Sequence, residues 1–229
     1  MRTPITMTTT IVSRLLRLTG FASVLAVVGV LGCASTPDSA QLDRITDGVV
    51  KSSFRDEGMA HVDRLVQDDA NRECSQAQAS GRPIADTTAK AIEAANFKTI
   101  KWPADGKFLG DWREGEKIAQ NGRGLTWTDD AKVASGGNCY NCHQITREEI
   151  SFGTIGPSLY LYGKNRGVTD PASAAAKPIV EYTWGKVWNA KAYNACSTMP
   201  RAGHAGILDE QQVRHVVALL LDPQSPVNK

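Results

Sequence analysis

Cys139-Tyr140-Asn141-Cys142-His143 is the stretch whose reading decides the fold. Two cysteines separated by two residues, with a histidine directly after the second, are the attachment signature of a c-type haem. The spacing lets both thiols add to the vinyl groups of one porphyrin edge while the histidine comes up beneath the iron. A bare C-x-x-C also serves as a redox dithiol or as half of a zinc site. The adjoining histidine and the lack of a second C-x-x-C in the sequence weigh against both. One haem c is therefore expected, anchored by Cys139 and Cys142, with His143 as the proximal ligand of its iron.

Haem is attached to this pentapeptide outside the bacterial inner membrane, so an export signal is expected, and the N-terminus reads as one. Arg2, Arg14 and Arg17 form a basic region, and Phe21 to Leu31 is an apolar run too short to span a bilayer. Val30-Leu31-Gly32-Cys33 resembles the lipobox of bacterial lipoproteins, whose cysteine is acylated and becomes the new N-terminus. Residues 1–33 thus read as a signal peptide of lipoprotein type with lipid on Cys33. Leu31 stands where a small residue is usual, so conventional cleavage near Ala34 is the alternative, and a retained membrane anchor is another. The expected location is the periplasm, with Ala34 after the cysteine directing a lipidated form to the outer membrane.

The chain has 26 Lys+Arg against 24 Asp+Glu, and the leader removes three Arg and no acids. A near-neutral mature protein without a basic stripe gives no electrostatic case for nucleic acid. Of the five cysteines, Cys33 belongs to the leader boundary and Cys139 with Cys142 to haem, which leaves Cys74 and Cys196. In an oxidising compartment that remainder suggests a disulfide, the alternative being two separate buried thiols.

The mature chain reads as mainly α. Residues 34–50 are polar and without an apolar face, as in a flexible tether. Residues 51–106 read as a helical extension: Met59, Val62, Leu65 and Val66 fall at helical spacing before Cys74, and a second stretch runs from about Pro83 to Ala95. Too poor in large apolar residues to form their own core, these helices are expected to pack on residues 107–229. There, Phe108, Leu109, Trp112, Lys117 and Ile118 read as a helix ending near Asn121-Gly122, with Gly115 allowing close approach of another helix. A final helix is expected from Asp209, with Gln212 placed for a capping box, to a stop at Pro223. First helix, haem motif, loops and last helix follow the order of class I cytochromes c.

The sixth iron ligand has to come from elsewhere. Met199 is the first candidate, in Cys196-Ser197-Thr198-Met199-Pro200-Arg201, a loop between the haem motif and the last helix; His204 is the rival. A thioether there suits an electron-transfer haem and raises its potential relative to two histidines. In Gly156-Pro157-Ser158-Leu159, the Pro157 carbonyl is a candidate partner for the other nitrogen of His143. Tyr160, Tyr162, Trp184 and Trp188 are candidate haem walls, and Arg166 and Arg201 are the apt donors to its propionates.

Three runs carry a closer resemblance: Gly137-Asn138-Cys139-Tyr140-Asn141-Cys142-His143, Gly153-Thr154-Ile155-Gly156-Pro157-Ser158-Leu159 and Met199-Pro200-Arg201-Ala202-Gly203-His204. Together they resemble SoxX, the c-type cytochrome subunit of the SoxAX complex of sulfur-oxidising bacteria. The likeness runs from about Phe54 to Pro223 and departs at Ala202, where that family usually has phenylalanine. It implies a heterodimer with a SoxA-type subunit that joins thiosulfate oxidatively to a cysteine of the carrier SoxYZ. The sulfur chemistry of this S-thiosulfotransferase is attributed to SoxA. The implied part of this chain is electron acceptance through His143- and Met199-ligated haem, and delivery to a small cytochrome c. A free-standing periplasmic electron carrier is the alternative function.

Overall fold

A computed structural model describes residues 38–229. The leader and Cys33 lie outside the described residues. A division falls between Val49 and Val50.

Among the described residues there are six α-helices and no strand, only an isolated bridge between Glu57 and Ala60. The helices are α1 (Ser39–Ser53), α2 (Asp69–Ser80), α3 (Asp86–Phe97), α4 (Trp112–Gln120), α5 (Lys177–Trp188) and α6 (Glu210–Leu221). Helix α1 occupies most of the described part of the stretch expected to be a flexible tether, residues 34–50. Asp38 and Gln41 cap its start reciprocally, Asp38 accepting from the Gln41 N–H and Gln41 from the Asp38 N–H. Leu42, Ile45 and Val49 recur along it at helical spacing, and none of its residues is buried.

The framework of the haem-motif region is the pair α4 and α6. Asp209 and Gln212 form a complete capping box at the start of α6, which then buries Val213, Val216, Val217 and the run Ala218 to Leu221. At about 1.5–3 kcal/mol for each large side chain withdrawn from water, this face is a main source of folding energy. Gly115 lets α4 approach, since a Cβ there would stand 2.1 Å from the His215 carbonyl oxygen and 2.9 Å from the Leu219 side chain. The loop before α4 is fastened to the same helix: Gly110 N–H donates to the Arg214 carbonyl at 3.0 Å, and Asp111 N–H to His215 Nδ1 at 2.9 Å. Phe108 and Leu109 precede α4 and do not belong to it.

Helix α5 had no counterpart in the sequence reading. Pro178 occupies its first turn, where a missing N–H costs nothing, and Val180, Thr183, Trp184, Gly185, Val187 and Trp188 are buried along it. Trp184 packs edge-on against Phe108 (5.5 Å between centroids) and stacks on Trp188 (5.8 Å). The single helix expected around Met59 to Cys74 resolves into a 3₁₀ turn at Val62–Leu65 and a separate α2, whose N-cap Asp68 accepts from Asn71 N–H at 2.8 Å. Buried Asn228 accepts from the N–H groups of Gly163 and Lys164 and donates to the carbonyls of Leu220 and Asp222.

Candidate haem site

The cysteine pair sits on a 3₁₀ turn, Cys139–Asn141, entered through Asn138 in the left-handed region (φ 49°), a conformation asparagine tolerates better than most residues. Both framework helices hold the approach. Gly137 N–H donates to the Ile118 carbonyl at the end of α4 (2.8 Å), and Gln212 of α6 donates to the Ser135 carbonyl (2.7 Å). Tyr140, between the cysteines, is buried in the core, so Cys139 and Cys142 flank it as the two unpaired thiols among the described residues. Burial pushes the Cys139 thiol up to about 11, leaving it protonated at neutral pH before any bond to a cofactor forms.

Residues 153–159 fold back along the motif. Gly153 N–H donates to the Tyr140 carbonyl, Gly156 N–H to that of Cys142 and Leu159 N–H to that of Gln144. The return brings the Pro157 carbonyl to 2.7 Å from His143 Nδ1. With the proton on Nδ1 and donated to that carbonyl, Nε2 keeps a free lone pair for a metal. Gly156 makes room for the ring, because a Cβ there would lie 2.1 Å from His143 Cε1 and 2.4 Å from Nδ1.

Met199 lies on the loop between α5 and α6, part-buried, its N–H donating to Ser197 Oγ at 3.3 Å. Three residues earlier, Cys196 is joined to Cys74 of α2 in a disulfide spanning 122 residues. Two expected propionate donors are engaged elsewhere. Arg166 lies over the Tyr162 ring at 3.7 Å and donates to the Tyr162 carbonyl, and Arg201 pairs with Asp68 at 2.7 Å. Trp188 supplies what they do not: its indole Nε1 is buried with no hydrogen-bond partner among the described residues. An orphaned buried N–H is costly unless a ligand accepts from it, which a haem propionate would do. Gly203 lets the loop close over this indole, where a Cβ would meet Trp188 Cδ2 at 2.5 Å. His204 donates its backbone N–H to the Trp188 carbonyl, and burial together with neighbouring Arg201 lowers its imidazole pKa.

These donors fit a haem c. Cys139 and Cys142 would hold it, His143 and Met199 are the residues that would ligate its iron, and Trp188 would donate to a propionate. The bound group supplies reversible one-electron chemistry at the iron. This chain's residues anchor it and fix the orientation of the His143 ring. Sequence reasoning missed Asp68 and Asn189, which hold the Met199 loop from afar. Only Asp68-Asp69 ahead of a helical run carried a local signal, as a helix start.

Residues 113–222 match the cytochrome c family. An uncharacterized lipoprotein of Aquifex aeolicus (strain VF5) is 40% identical over 146 residues, covering 61% of this chain and 66% of that protein, just under two thirds of its length.

Proposed function

Since residues 113–222 carry a cytochrome c domain of mainly α, class I type with covalently bound haem c, we propose that this chain is the electron-accepting, SoxX-like subunit of a SoxAX-type thiosulfate-oxidising complex. In this reading a SoxA-type partner joins thiosulfate to a SoxYZ cysteine, and the electrons leave through the haem of this chain to a small cytochrome c. His143 and Met199 are the axial ligands. The observation that carries the proposal is the cysteine inventory. With Cys74 bonded to Cys196 and Cys139 and Cys142 on the haem, no thiol among the described residues remains for sulfur transfer. The chain is then suited to relay and dependent on a partner for the sulfur chemistry.

The Aquifex relative, named a lipoprotein, supports a lipid on Cys33. It also favours a second reading, a lipid-tethered electron carrier with no obligate partner in the periplasm. Purified holoprotein mixed with a SoxA-type subunit, SoxYZ and thiosulfate decides between them. The complex should couple thiosulfate to the carrier, and this chain alone should not. Reduction of the isolated haem by thiosulfate at the rate of the mixture, or failure to bind any SoxA-type subunit, would defeat the first reading.

A further inference from the structure

A cleft of about 660 Å³ opens between α2 and the loop from Cys196 to Arg201, within the size range of small-ligand sites. Cys139, Cys142 and His143 do not line it, so it is separate from the haem-attachment side. Its lining includes Arg82, Lys191 and Arg201 and not one aspartate or glutamate. Asp68, at the N-cap of α2, neutralises Arg201 from beside the cleft at 2.7 Å. The other two cations have no carboxylate within 4.0 Å among the described residues.

Lys191 is the unusual one. It is 5% exposed, and its ammonium makes one hydrogen bond, to the Ala195 carbonyl at 3.0 Å. An ammonium has three donors, and a buried one without a counter-ion carries a desolvation cost. Burial and then the neighbouring Arg201 lower its pKa against the pull of Asp68, as expected for a cation short of negative charge.

We propose that this cleft binds a small oxyanion of the sulfate or phosphate type, held by the buried Lys191 ammonium and the exposed Arg82 guanidinium. Hydroxyls of Ser75, Ser197 and Thr198 are in the same lining and supply neutral donors. Met199 lines the cleft as well. If it ligates the iron, as in the function proposed above, a bound anion stands close to the metal. Negative charge there stabilises the ferric over the ferrous state, so binding lowers the reduction potential. The binding site itself does not depend on that ligation.

The test is calorimetric titration of the oxidised holoprotein with sodium sulfate, ionic strength being held constant with sodium chloride. One saturable site is expected, with phosphate competing for it. Lys191→Gln should weaken binding about ten-fold or more, and Lys191→Arg should retain most of it. Arg82→Glu, a surface change that leaves folding intact, should abolish binding. Sulfate acting no differently from chloride, or binding unchanged in Lys191→Gln or Arg82→Glu, would overturn the site. So would Lys191-dependent binding of an acetylated hexaglutamate without binding of sulfate, which would assign the cleft to carboxylates of a partner protein. Sulfate binding with no fall in potential would keep the site and overturn its coupling through Met199.

Discussion

The two sides of the haem site are built on different length scales. On the His143 side, the ties run within the segment itself: the His143–Pro157 contact spans 14 residues, and the bonds of Gly153, Gly156 and Leu159 reach back to Tyr140, Cys142 and Gln144. On the Met199 side, the ties come from the helical extension. Asn189 donates to Asn96 and Thr99 across 93 and 90 residues, Glu93 accepts from the Ala195 N–H across 102, and Cys74 is bonded to Cys196 across 122. The His143 ring is set by its own loop, while α4 and α6 hold only the approach to the motif, through Ile118 and Gln212. The Met199 loop, fixed from a distance, is as firm as the contacts that bring the extension home.

The sharpest attack on the local side is Gly156→Ala. The added methyl would need the space of the His143 ring at 2.1 Å, and the bond from Gly156 N–H to the Cys142 carbonyl leaves the backbone little room to retreat. Haem-bearing folded protein should be almost lost, measured as covalent haem per chain after expression. Normal yield with an unchanged spectrum would mean that the return loop does not set the ring.

Opening the distant side should cost less and act selectively. Replacing Cys74 and Cys196 together by serine should lower stability by about 2–5 kcal/mol. The weak near-infrared sulfur-to-iron band of the oxidised protein should then fade at lower denaturant than the loss of helical signal. The two transitions moving down together would show that α2 stabilises the whole domain and not the Met199 loop. Met199→Ala sharpens the same contrast, with haem still attached through Cys139 and Cys142 and the near-infrared band absent. Survival of that band in the variant would assign the sixth position to another sulfur, such as Met59, and its absence from the parent would return that position to His204.

The contrast also explains what was legible in the sequence. The haem motif, the Gly156-Pro157 return and α6 are written in contiguous residues, with Asp209, Gln212 and Pro223 marking the last helix. The disulfide was reachable only by subtraction, after the motif had claimed its two cysteines. Helix α5 escaped because its buried residues include Thr183 and Gly185 while Tyr182 is exposed, which blurs the apolar stripe an amphipathic helix displays. Helix α1 escaped because its few apolar residues sit in a polar stretch and its start depends on the reciprocal Asp38–Gln41 cap. The ion pair of Asp68 with Arg201 joins residues too far apart in sequence for any local pattern to suggest.

That ion pair gives the smallest and most specific effect. Burial alone would raise the Asp68 pKa, but the bonds from Asn71 N–H and Arg201 outweigh it and hold the carboxyl below the usual range. A carboxylate with a depressed folded pKa contributes stability that is complete above its unfolded value, about 4, and is lost as pH falls through the folded one. Side-chain exposure of 43% for Asp68 limits the pair to about 1 kcal/mol or less after solvent screening. Asp68→Asn should therefore cost about that much at neutral pH and almost nothing once pH has fallen below the depressed folded value of Asp68. The near-infrared band should respond to acid less in the variant than in the parent, and Asp68→Glu should restore part of the difference. An Asp68→Asn protein with the acid sensitivity of the parent would place the clamp on the Met199 loop in the disulfide alone.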